Sequence, residues 1–271
     1  MKKHLLPLLA FFLLMCSCAD DAELPEPEKK YYLTRKVSTS EFPGGQTLTI
    51  DLRYNYNEKK QLSSITGTNQ RSGSASSAIN ILYSYDAQDR LVRIQYSPEL
   101  MWDITYNEKN QVDKQIRTSK NTDNSTEIHY YKNSYSASGQ RTSLQMWNII
   151  DGAEVPGPIY TYTYTNGQVT FMHGELPTGG TYNNYTFVYD DKKVPLQGIY
   201  QLSVPTLIMQ EIPRQILADH NLVAHSKTEN YQGNNYSFEA TYQYNDAGYP
   251  VSSIRLWHEG SIERINFTYE N

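Results

Sequence analysis

The chain has 271 residues and a formal net charge of −5. A mildly acidic chain without a basic cluster is a poor nucleic-acid binder, because phosphate neutralisation supplies most of that affinity. Its only cysteines are Cys16 and Cys18, so the chain beyond them has neither a disulfide framework nor a thiolate metal site.

The first element is a leader. Lys2 and Lys3 precede an apolar run from Leu5 to Met15, broken only by Pro7. A charged start followed by a short apolar run is a signal peptide, too short to span a bilayer as a helix. Residues 1–17 carry two lysines and no acid, so their removal takes the net charge from −5 to −7. The run ends in LLMCSC, which resembles a bacterial lipobox. Small Ser17 before Cys18 suits cleavage better than Met15 before Cys16. The resemblance thus implies Cys18 as the lipid-attachment residue and the outer membrane as the partner reached through it. An ordinary secretory signal is the alternative. Several acyl chains on one residue would anchor stably where one chain is marginal.

Residues 18–30 follow as an acidic tether. ADDAELPEPEKK (Ala19 to Lys30) carries two prolines and cannot bury apolar surface. Asp20, Asp21 and Glu23, just after the lipid cysteine, resemble the surface-export signals of Bacteroidetes lipoproteins. A plain solvated spacer explains the composition equally well, so surface exposure and the periplasmic face both stay open.

Residues 31–271 form one repeat-built domain, about the size of a single all-β domain. The chain reads YNYNEKKQLSSI from Tyr54, YSYDAQDRLVRI from Tyr83 and YQYNDAGYPVSSI from Tyr242. The second tyrosine of each phrase is an anchor. The series is Tyr56, Tyr85, Tyr106, Tyr135, Tyr164, Tyr189, Tyr244 and Tyr269, spaced 29, 21, 29, 29, 25, 55 and 25. A period in the twenties marks a repeated supersecondary unit. Ile81, Tyr83 and Tyr85 share one parity while Ser84 and Asp86 take the other, the pattern of a half-buried strand. NEKK, DAQD, NEKN, SASG, TNG, DDKK and NDAG then read as turns, and each phrase as a β-hairpin.

The exception to strand patterning is PTLIMQEIPRQILADHN, Pro205 to Asn221, in the double-length gap. Leu207, Ile208, Glu211 and Gln215 have roughly helical spacing, and Pro213 would break a long helix. One short helix or structured loop is expected over 205–221. The predicted fold class is all-β, an antiparallel meander of roughly sixteen short strands. A flat sheet that wide accumulates too much twist, so the sheet must curl strongly or form a flattened barrel. The tyrosines point inward together with Ile65, Ile94 and Ile254. The opposite face is Ser, Thr, Lys, Gln and Arg.

YDAQDRLVRI at Tyr85 to Ile94 and YNDAGYPVSSI at Tyr244 to Ile254 resemble the YD (RHS-type) repeat. Together with the lipobox, and with YDDKKVPLQGIY at Tyr189 and HNLV at His220, the chain resembles uncharacterised Bacteroidetes outer-membrane lipoproteins with a porin-like β fold. The resemblance implies a fold and an address, and no activity.

Chemistry is sparse. There is no GxSxG. His129, His173, His220, His225 and His258 show no metal-ligand spacing. Asp190–Asp191 is the obvious carboxylate pair for a glycosidase, but it sits where sibling repeats have turns. GGQ at Gly44 and TGGT at Thr178 read as hairpin turns. Trp102 shares parity with Ile104 and Tyr106 and is assigned to the core. Trp147 and Trp257 fall on the parity opposite to Leu144 and Leu256, on the polar face, where a ring can stack on a sugar or dock a partner.

The expected function is that of a lipid-anchored cell-surface β protein, a binding or scaffold module for a glycan or a membrane protein. Trp147 and Trp257 are its candidate binding residues, with no catalytic residue, cofactor or metal. A carbohydrate-active hydrolase, with carboxylates assembled from distant strands, is the alternative. An integral pore is disfavoured, because transmembrane strands need an uninterrupted apolar outer band.

Overall fold

The computed structural model describes residues 30–123, 125–196, 220–229 and 236–271. The described residues hold sixteen strands and no helix. The first eight are β1 (Tyr32–Glu41), β2 (Thr47–Tyr56), β3 (Leu62–Arg71), β4 (Ser77–Tyr85), β5 (Leu91–Ser97), β6 (Leu100–Tyr106), β7 (Val112–Lys120) and β8 (Thr126–Tyr135). The rest are β9 (Arg141–Ile150), β10 (Ala153–Thr165), β11 (Gln168–Glu175), β12 (Thr181–Lys193), β13 (His220–Glu229), β14 (Tyr236–Tyr244), β15 (Pro250–Trp257) and β16 (Ile262–Glu270). Each strand pairs antiparallel with its sequence neighbours, and β1 pairs with β16, so the meander closes into a barrel. The compact unit is Tyr31–Asn271. The segment expected as a helix lies outside the described residues up to 219; His220 and Asn221 open β13.

Period-two patterning sets the two faces of the wall. Leu52, Tyr54 and Tyr56 of β2 pack inward with Leu33, Leu62 and Ile65. A larger inner cluster gathers Leu91, Ile94, Trp102, Ile104, Tyr131, Leu144, Tyr160 and Met172 with partly buried Tyr85, Tyr106, Tyr164 and Tyr189. Trp102, stacked on Tyr131 at 5.5 Å, is core as expected. The outward alternates carry charge. Arg35 grips Asp51 through two hydrogen bonds of 2.9 and 2.7 Å, and Arg93 grips Asp103 at 2.7 Å. The first contact holds the Asp51 carboxyl below its ordinary range. Such exposed pairs add little stability; they mark which face meets solvent.

The repeated turn has one geometry with different residues. The side-chain oxygens of Asn57, Asp86, Asn107 and Asn245 each accept the N–H of the residue four further on, at 2.9–3.0 Å. The position before that donor takes positive φ. Gly139 and Gly248 occupy it at 86° and 81°, while Lys60, Asp89 and Asn110 accept about the same conformation near 60°. A left-handed non-glycine residue is uncommon, though Asp and Asn tolerate it better than most; the turn keeps its geometry in copies that lack glycine. DDKK departs from this expectation: β12 runs on through Lys193, and Asp190 accepts hydrogen bonds from the Asn221 N–H and the Tyr244 hydroxyl.

A β-bulge accompanies the turn. Asn55 pairs with Ser64 but Tyr56 pairs with Leu62, leaving Ser63 as the extra residue; the same skip recurs at Tyr85, Tyr106, Tyr135 and Tyr244. Bulges bend a strand and raise its twist, which suits a wall that must close. They also decide which face the second strand presents. The ninth residue after the anchor turns inward, as Ile65 and Ile94 do. In the last repeat that ninth residue is Ser253, 3% exposed, and Ile254 is 41% exposed. The expectation that Ile254 shares the inner face is therefore corrected.

The anchor hydroxyls form a ladder at one end of the barrel. Tyr56, Tyr85, Tyr106, Tyr135, Tyr164 and Tyr269 donate to the backbone oxygens of Leu33, Leu62, Leu91, Val112, Arg141 and Pro250, at 2.8–2.9 Å. Each acceptor opens, or nearly opens, the strand preceding the tyrosine's own. A phenol thus fills the inner layer with its ring and satisfies its hydroxyl at the rim. Leu196, just past β12, packs on the Leu33–Tyr54–Leu62 cluster, so the chain leaving β12 reaches over to the wall of β1–β3 at this end.

Candidate binding surfaces on the outer wall

Trp147 stands on the outer wall. Leu144 is buried inside, so β9 turns Trp147 outward. On β8, Tyr131 packs inward beside Trp102, which turns Tyr130 outward. Register then lines up Ile116, Tyr130, Trp147 and Pro156 across β7 to β10. Ile128 and Ile149 face each other in the next row. The Trp147 ring stacks on Tyr130, with centroids 6.0 Å apart and planes 12° from parallel. The Lys114 ammonium sits 4.3 Å from the Tyr130 ring centre. Between them they leave Tyr130 only 7% exposed. Burial, with the nearby Glu154 carboxylate, pushes its phenol up to about 12.

A second bulge shapes the far edge of this strip. Pairing jumps from Pro156–Trp147 to Ile159–Gln145, and the Gln145 amide donates to the Gly157 oxygen at 2.7 Å and the Met146 oxygen at 3.0 Å. Proline suits a bulge because it cannot serve a regular ladder. The outcome is an aromatic–aliphatic strip four strands wide, about 14 Å at ordinary strand spacing. Trp147 alone was legible in the sequence. Tyr130 was not, because either residue of the Tyr130–Tyr131 pair could have faced out.

Trp257 lies elsewhere. It pairs with Phe238 on the inner wall, with ring centroids 4.9 Å apart. Phe187, His225, Phe238 and Trp257 make a row across β12 to β15, with neighbouring rings 4.9–5.6 Å apart. The expected polar-face position is corrected. It rested on Leu256 being core, but Leu256 is 53% exposed, one step out of phase like Ile254. Trp147 and Trp257 therefore lie on opposite faces of the wall, on β9 and β15, and do not form one surface. A groove of about 390 Å³ lies on β12–β15, bordered by the outward Thr186, Val188, Glu239 and Leu256 and also touched by Phe238 and Trp257. Counting nine residues from Tyr244, not ten, would have revealed the exposed leucine.

The titratable candidates do not converge. Asp191 is exposed and pairs with Lys192 at 3.2 Å, while its neighbour Asp190 is taken up by Asn221 and Tyr244. His129 bonds Asn148 at 2.6 Å, His173 bonds Asn184 at 2.7 Å, and His220 meets the Lys192 oxygen at 3.1 Å. Among the described residues, no three His, Cys, Asp or Glu side chains gather as a metal site would require. Gly44 and Gly180 sit in hairpin turns with φ of 94° and 89°. Cys18 lies outside the described residues, as does the rest of the leader and tether through residue 29.

No protein-family model and no curated protein matches the chain. Solved structures do. A porin-like protein from Bacteroides uniformis is 14% identical, with a TM-score of 0.58 over 88% of this chain and 96% of that one. A porin-like protein from Bacteroides vulgatus is 9% identical, with a TM-score of 0.55 over 89% of this chain and 99% of that one. At such identities the likeness is one of fold. It supports the porin-like β architecture; the YD-repeat kinship has no matching family model behind it.

Proposed function

We propose that the chain is a lipid-anchored outer-membrane protein, attached through Cys18 and exposed at the cell surface, whose barrel binds a glycan on its outer wall. The observation that carries the binding role is the Ile116–Tyr130–Trp147–Pro156 strip. A tryptophan backed by a stacked tyrosine is a flat, pre-ordered platform, and sugar rings stack on such faces. The LLMCSC motif and the acidic residues after it support the anchor and its address. Membrane-spanning strands carry an apolar outer band, whereas this wall carries Arg35–Asp51 and Arg93–Asp103 on its outside and its apolar clusters within. A surface platform fits that inside-out arrangement better than a pore. The hydrolase alternative lacks support at Asp190–Asp191, whose carboxylates have other partners.

The test is a glycan-array screen of the detergent-purified full-length protein. Trp147→Ala should abolish binding. Trp257→Ala, changed on the inner wall, should leave specificity intact while lowering stability. Binding that survives Trp147→Ala would discard the platform. Acyl labelling that persists in Cys18→Ala would discard the anchor.

A further inference from the structure

The charges beside the strip point to the kind of glycan. We infer that the Trp147 platform takes an acidic polysaccharide, one carrying carboxylate or sulfate groups; this rests on the glycan-binding role proposed above. Lys114 and Lys132 face each other directly across β7 and β8 on the outer wall. Like charges opposite one another in a sheet destabilise it. Three cations elsewhere on this wall stand with acids: Arg35 with Asp51, Arg93 with Asp103, and Arg264 with Glu41 at 3.5 Å. Arg35 also faces Arg53 across β1 and β2, but there the Asp51 carboxylate lies under the influence of both. Among the described residues, neither Lys114 nor Lys132 has a carboxylate within ion-pair distance. Of the acids on neighbouring strands, Asp103 is engaged by Arg93 and Glu154 by the Tyr130 phenol.

The position of the lysine pair matters as much as its charge. Lys132 follows Tyr130 by two residues on β8, so the lysine row runs beside the aromatic row about 7 Å along the strands. Gln145, opposite Lys132, and Trp147, opposite Tyr130, extend both rows onto β9. The Lys114 ammonium already leans over the Tyr130 ring at 4.3 Å. A sugar ring stacked on Trp147 would present a carboxylate or sulfate on its edge to both ammonium groups. Lys132 is exposed and Lys114 half-buried, so both ammonium groups can be reached from solution. In a chain of net charge −5, a cationic pair beside a flat aromatic strip gives an anionic sugar its complement.

Binding of polygalacturonate to the full-length protein, against the same polymer fully methyl-esterified, tests the assignment. The acid form should bind about tenfold tighter, as two exposed ion pairs supply. That advantage should vanish in Lys114→Gln/Lys132→Gln and in ~0.5 M salt, where screening is short-ranged. Trp147→Ala should abolish binding of both forms. Equal binding of acid and ester, or an acid preference that survives the double substitution, overturns the charge assignment and leaves the platform standing. If neither form binds and the array is also blank, the glycan role itself falls. Phosphatidylglycerol vesicles that bind more tightly than polygalacturonate would overturn the assignment in favour of a lipid surface. Circular dichroism of each variant confirms that a lost signal is lost binding.

Discussion

β3 and β15 end the same repeated phrase, LSSI in one and VSSI in the other, yet they show opposite faces to the solvent. Ile65 is buried and Ile254 is exposed. Both follow an anchor tyrosine, an asparagine turn and a bulge. The two turns have the same length, Tyr244 pairing with Pro250 six residues on as Tyr56 does with Leu62, but VSSI begins one residue later than LSSI, so Ser253 takes the inward place and Ile254 the outward one. The side-chain period of a strand is two, so a slip of one residue changes every face. The sector from β12 to β15 differs in other ways too. Among the described residues the Tyr189 hydroxyl has no hydrogen-bond partner, and the Tyr244 hydroxyl goes to Asp190 instead of joining the backbone ladder. Regular repeats build the wall; this sector departs from them, and there an aromatic row has moved inside and a groove has opened.

The comparison breaks most visibly in a pair of truncations. Ile65→Ala should cost about 2–4 kcal/mol in urea unfolding, as cavity-forming changes do. Ile254→Ala should stay within about 0.5 kcal/mol. Equal losses would mean that the two strands share a facing after all. A finer contrast comes from the phenols. Tyr85→Phe deletes the hydrogen bond to the Leu62 oxygen and should cost about 1 kcal/mol, whereas Tyr189→Phe deletes a buried hydroxyl without a partner among the described residues and should be neutral or stabilising. The smallest effect is nil at neutral pH. Burial raises the phenols of Tyr56 and Tyr85 from 10.0 to about 12. A raised folded-state value contributes stability that is complete below pH 10 and lost as pH climbs through about 12. The urea midpoint should therefore be insensitive to these groups up to about pH 10 and fall above it, and Tyr56→Phe/Tyr85→Phe should flatten the fall.

Strand number, the meander and the inward tyrosines were legible because each is a property within a strand, where parity is dependable. Trp147 was legible for the same reason: Leu144 fixes the phase of β9 and no bulge intervenes. Trp257 was misjudged because its phase had to be carried across a turn and a bulge, and bulges leave no sequence mark as firm as the Asn or Asp that opens the turn. Closure was not legible either. It depends on β1 meeting β16, and strand edges far apart in the chain leave no local pattern. Likewise Lys114 and Lys132 look like any solvated lysines until register sets them face to face.

The meander has one more consequence, in how such a wall assembles. Every seam except one joins strands that follow each other in the chain. Hairpins can therefore form locally and zip onto their neighbours at little loop-closure cost. The exception joins β1 to β16, where Thr34 donates to the Thr268 oxygen across 234 residues. Until that last seam shuts, two raw edges stay open to strands of other chains; once it shuts, none remains.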